Sequence, residues 1–108
     1  MVKKKTVYLV KCENLYKIGF TSKKVIKRLK ELQVGNGNEF VLVKEFQSEF
    51  ASKLESTLHR IFNSKHKSGE WYELTDEDVE SFDFECNKFE TAMKYLELYN
   101  PFIQSLKK

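Results

Sequence analysis

At 108 residues, 41% hydrophobic and 14% aromatic, the chain has apolar surface for one core and is too short for two domains. Four Gly and one Pro exclude low-complexity disorder, no apolar run reaches the roughly 18 residues of a membrane span, and residues 1–5 lead into polar sequence unlike a signal peptide. The net charge of +3 is split: residues 1–69 hold 15 Lys and Arg against 6 Asp and Glu, and residues 70–108 hold 4 against 10.

Residues 6–11 are β-branched and aromatic, and after Glu13-Asn14 the run from Leu15 to Thr21 continues the pattern, which predicts a β-hairpin. Thr21 or Ser22 can cap a helix over 22–34, with Val25, Leu29 and Leu32 at helical spacing and Gly35-Asn36-Gly37-Asn38 ending it. Phe40 to Phe46 reads as a buried third strand. A second helix over 49–63 carries the apolar stripe Ala51, Leu54, Leu58, Ile61 and Phe62, with Glu55 and His59 beside it.

Residues 64–69 form a basic loop, and 70–74 a short extended piece. The segment 76–99 is helical at Val79, Phe82, Phe89, Met93 and Leu96, and Pro101 closes it. Thr75 followed by Asp76, Glu77 and Asp78 reads as a helix cap with first-turn acids that suit the macrodipole, in preference to a metal cluster.

This order predicts a single domain over 1–108 of α+β class, a small three-stranded antiparallel sheet flanked by helices. Without alternating βαβ units or a Gly-rich phosphate loop, Rossmann and P-loop classes are excluded. Cys12 and Cys86 lack CxxC spacing and read as reduced packing residues, in keeping with a cytoplasmic protein. The basic half is the footprint expected of a polyanion partner, with Lys23, Lys24, Lys27, Lys65 and Lys67 as the candidate nucleic-acid contacts.

Four groups of residues now stand in order: Tyr8 in the first strand, Tyr16-Lys17-Ile18-Gly19 in the second, Arg28 in the helix that follows, and Glu55 with His59 in the next. With Gly69-Glu70-Trp71-Tyr72 after them, they resemble the GIY-YIG nuclease superfamily, in its small phage and DNA-virus branch with a KIG-type second motif. The resemblance covers residues 6 to about 75. Here Thr6-Val7-Tyr8 lacks the family's first Gly, Lys17 stands where Tyr is usual, and the family's late Asn has no clear match.

The resemblance implies a divalent-metal-dependent DNA endonuclease with Tyr8, Lys17, Arg28, Glu55 and His59 catalytic, Glu55 also holding Mg²⁺ or Mn²⁺. Because strand side chains alternate, Tyr16 and Lys17 point to opposite faces, so Lys17 is expected to line the site with Tyr16 as the alternative.

The chemistry of the side chains agrees. A single carboxylate suits Mg²⁺, which keeps much of its hydration, and Arg28 can grip two phosphate oxygens where a lysine is a point charge. A tyrosine releases its proton near pH 10 in water, so a base role for Tyr8 requires a neighbouring cation such as Lys17, together with the metal.

His59, one helical turn after Glu55, can meet a substrate phosphate or support the metal, while Glu70 could close the site and Trp71 and Tyr72 read as core cover. Two alternatives stay open. The scaffold could serve as a non-catalytic nucleic-acid or protein-binding module, or the acidic half could cover the basic face or mediate a homodimer.

Overall fold

A computed structural model describes residues 3–107. Strands β1 (Lys5–Cys12) and β2 (Leu15–Thr21) form the expected hairpin, with Glu13 in the left-handed region at φ 57° making the tight turn. Helix α1 (Val25–Gln33) follows, then strand β3 (Phe40–Ser48), helix α2 (Ala51–Ile61), a 3₁₀ turn at Asn63–Lys65, two short strands, β4 (His66–Ser68) and β5 (Trp71–Tyr72), and helix α3 (Asp76–Tyr99). A second 3₁₀ turn, Pro101–Leu106, ends the described chain.

The sheet is antiparallel in the order β3-β1-β2-β5-β4. It thus has five strands where the sequence predicts three. The basic loop expected over 64–69 is instead a 3₁₀ turn running into β4, and Gly69 at φ +56° lets the chain reverse into β5. Strands of three and two residues are too short for any periodicity to announce them.

Alternation along β1 sorts the core into two layers. Val7 and Leu9 face α2 and α3, packing with Tyr16, Ile18, Leu54, Leu58 and Phe82; Tyr8, Val10 and Cys12 face α1, packing with Val25, Phe40 and Trp71. Two expectations fail at the edges. Strand β3 lies at the edge of the sheet with Val41 exposed, and Ile61 sits on the outer flank of α2.

Helix α1 starts at Val25, with Lys24 at its N-cap and no side-chain cap. The Thr21 hydroxyl instead accepts from the Lys23 N–H, which holds the β2–α1 turn. The Thr75 cap forms as expected: its hydroxyl accepts from the Asp78 N–H and the Asp78 carboxylate from the Thr75 N–H, a reciprocal box. Cys12 and Cys86 are both buried and free.

Candidate functional site

The register of the hairpin places Tyr8 opposite Gly19 and Val10 opposite Lys17, so Tyr8, Lys17 and Gly19 share the face toward α1. Tyr16 takes the other face, buried against Tyr72 and Leu58 in the main core. The Tyr8 ring fills the space above Gly19. A Cβ at position 19 would stand 2.6 Å from Cζ of Tyr8, closer than any carbon pair tolerates, so the glycine is what lets the ring lie there.

Helix α1 supplies the neighbour of the Tyr8 hydroxyl. Arg28 donates from Nε to Tyr8 Oη at 3.5 Å and from Nη1 to Glu31 at 3.2 Å, and Glu31 also accepts from Lys23 at 2.6 Å. The Tyr8 and Glu31 bonds hold the Arg28 guanidinium above its ordinary pKa, while Lys23 and then Arg28 hold the Glu31 carboxyl below its own. The cation on Tyr8 is thus Arg28, whereas the sequence suggests Lys17. Lys5, Thr21, Lys23, Arg28 and Glu31 line a cleft of about 230 Å³ there.

Lys17 is engaged elsewhere. Its ammonium, mostly buried, pairs with the exposed carboxylate of Glu70 in the β4–β5 turn. Strand β5 pairs with Tyr16 and Lys17, which brings this turn to Lys17. The ion pair lowers the Glu70 pKa, with the charges of His59 and Arg28 adding to the effect of Lys17.

Across the same cluster, burial raises the half-buried Glu55 carboxyl; His59 and Lys17 pull it down, and the charge of Glu70 pushes it up. His59 Nδ1 lies 2.5 Å from the Tyr72 hydroxyl, whose own proton is held more tightly through burial and the charge of Glu55. The charges of Lys17, His59 and Glu70 thus bear on Glu55, and those of Lys17, His59 and Arg28 on Glu70, while the direct contacts are three separate pairs, Lys17–Glu70, Arg28–Tyr8 and His59–Tyr72.

Two members of this group carry more than the sequence suggests. Tyr72 is buried as predicted but also orients His59, and Glu70 is the direct partner of Lys17. Glu31, which holds both Arg28 and Lys23, belongs to the site although it is not among the residues expected from sequence. Its signal lies in the three-residue spacing from Arg28 on one helix.

The candidate nucleic-acid lysines separate into two kinds. Lys23 and Lys24 line a groove of about 610 Å³ with Lys3 and Lys4, and Lys27 is exposed on α1 beside them. Lys65 and Lys67, paired as Lys23 is with Glu31, face Asp78 at 3.1 Å and Glu73 at 3.0 Å away from that groove.

For a metal, the donor set is sparse: among the described residues no three His, Cys, Asp or Glu side chains group to enclose an ion. That fits poorly with zinc and well with a largely hydrated Mg²⁺ or Mn²⁺ on one carboxylate, and Glu55, whose burial disfavours its own bare charge, is the group a cation would relieve.

No helix among the described residues is long and apolar enough to cross a membrane. Against known proteins, no curated sequence and no solved structure matches the chain. The T5orf172 domain matches residues 5–87, from the first strand to the middle of α3 and across every candidate residue above. The chain accordingly belongs to the T5orf172 domain family, a phage-associated group linked to nuclease-like or DNA-binding functions.

Proposed function

We propose that this chain is a divalent-metal-dependent endonuclease that hydrolyses DNA phosphodiester bonds on a GIY-YIG-like scaffold. The observation that carries the reading is the shared face of Tyr8, Lys17 and Gly19 with Arg28 on the Tyr8 hydroxyl, and the charge of Lys17 also bears on the half-buried Glu55. A phosphate-gripping cation beside a candidate base is what phosphoryl chemistry requires.

Each side chain then has a task its contacts suit. Arg28, already presenting a fork held by Tyr8 and Glu31, grips the phosphate and follows its charge as the pentavalent transition state forms. Tyr8, whose oxygen accepts the Arg28 N–H, acts as its phenolate, having given its own proton to solvent, and takes the proton of the attacking water.

Lys17 neutralises a phosphate oxygen once that oxygen displaces Glu70. His59, with Nδ1 occupied by Tyr72, has Nε2 left to meet the substrate. Glu55 would hold Mg²⁺ or Mn²⁺, which when bound draws charge from the phosphate and eases deprotonation of water.

The test is supercoiled plasmid DNA with the pure protein and Mg²⁺ or Mn²⁺, a chelator control, and Glu55→Gln beside the parent. Metal-dependent nicking that is lost in the variant supports the reading; equal cutting by both overturns the Glu55 assignment.

A second reading, a nucleic-acid-binding module without catalysis, draws on the Lys17–Glu70 pair and on the burial of Tyr8, both of which restrict access to the face. Glu70→Gln separates the two. An enzyme freed of this ion pair should cut faster or bind more tightly, whereas a module should bind more tightly and leave plasmid intact.

A further inference from the structure

Helix α3 is apolar on two opposite sides. Phe82, Cys86 and Met93 are buried and pack toward α2, the sheet and the terminal 3₁₀ turn. At 100° per residue, Phe84, Tyr95, Leu98 and Tyr99 fall on the reverse side, and all four are exposed by 62% or more.

A globular helix needs one apolar stripe, and the second stays exposed, without a partner among the described residues. Phe84, Lys88, Thr91, Tyr95 and Leu98 follow one another at spacings of four, three, four and three, the seam by which one helix packs on another. A concavity of about 710 Å³ lies along it, lined by Phe84, Lys88, Thr91, Ala92, Tyr95 and Leu96, apart from the Lys17–Glu70 cluster. Most of the stripe lies beyond residue 87, where the family match ends.

We propose that this face binds the same face of a second copy of the chain, as an antiparallel, two-fold pair of α3 helices crossing at Thr91 and Ala92. Area, charge and shape each select this occupant. With Leu96, the exposed stripe presents on the order of 640 Å² at about 200 Å² per full side chain, to which Lys88, Thr91 and Ala92 add, against the roughly 800 Å² per partner of a standard stable interface.

Five acids, Asp76, Glu77, Asp78, Glu80 and Asp83, crowd the first eight residues of α3. An antiparallel pair holds the two acidic ends apart and opposes the helix dipoles; a parallel pair would stack like charges. Thr91 and Ala92 are the small side chains that let two backbones approach at the crossing. A two-fold axis there sets Lys88 of each copy against Tyr95 of the other, where an ammonium meets an aromatic face, as Lys88 already does with Phe84 of its own helix at 5.7 Å.

None of the site residues lies in this face, so the inference stands apart from the proposed activity. Sedimentation of the full chain tests it directly. The parent should be dimeric at about 50 μM, and Tyr95→Glu should raise the dimer Kd at least about 30-fold, the loss expected of a central aromatic anchor, with an unchanged circular dichroism spectrum.

Lys88→Glu, on the surface of the same helix, is the second variant should the first misfold, and it too should weaken the dimer. Thr91→Cys, near the axis, should form a disulfide-linked dimer on mild oxidation, and Glu77→Cys, far from it, should not. A monomeric parent, a dimer indifferent to both charge variants, or equal cross-linking from position 77 would overturn the proposal.

Discussion

The phenol ring of Tyr8 occupies the volume that any side chain at Gly19 would need, across the central register of the hairpin. The two residues are one unit: the glycine is present because the tyrosine lies over it, and the tyrosine hydroxyl reaches Arg28 because the glycine leaves room. Gly19→Ala should therefore cost about 1–3 kcal/mol of stability by overpacking, with the hydroxyl displaced from Arg28. Urea unfolding measures the first effect and cleavage rate the second; a variant equal to the parent in both would show that the ring is free to move.

Arg28→Lys should not act as a conservative change. The charge stays, but an ammonium cannot hold Tyr8, Glu31 and two phosphate oxygens in one plane. We expect turnover to fall about 10² or more with DNA binding little altered, and Tyr8→Phe to behave similarly while retaining the fold. Single-turnover rates with saturating protein and Mg²⁺ check both. If both variants cut as fast as the parent, the two residues serve the scaffold alone.

Glu55 links the site to pH. Burial raises its pKa above the ordinary 4.5, so the protonated form favours the folded state, and that advantage is complete below the unfolded value and lost as pH rises through the folded one. Glu55→Gln, neutral at every pH, should then raise Tm more at pH 7 than at pH 4 while removing cleavage. For the parent, a bound cation competes with the proton, so Mg²⁺ should stabilise it more at pH 8 than at pH 5. Thermal melts across pH, with and without Mg²⁺, read out all three effects.

The lysines should differ by their partners. Replacing Lys24 and Lys27 with Ala should lower the slope of log affinity against log salt by about 2, since each neutralised phosphate contributes about 0.9 to it. Replacing Lys65 and Lys67, which already face Asp78 and Glu73, should change the slope by less than half as much. Fluorescence anisotropy with a labelled oligonucleotide over a salt series makes the comparison, and equal slopes for the two variants would contradict it.

Much of the framework was determined by sequence alone. The alternation of β2 sets Tyr16 and Lys17 on opposite faces, the stripe of Leu54 and Leu58 commits α2 to the core, and Thr75 with Asp78 starts α3, because periodicity and caps are local properties.

Tertiary structure decided the partnerships. The pairing of β5 with β2 carries Glu70 onto Lys17, the packing of α1 on the sheet gives Tyr8 an arginine where the sequence suggests a lysine, and the position of α2 aims His59 at Tyr72. The placement of α3 likewise buries Phe82 and leaves Phe84 outside. The three side-chain pairs join residues 13 to 53 positions apart, and a sequence pattern reports which way a side chain points on its own element but not which distant element will meet it.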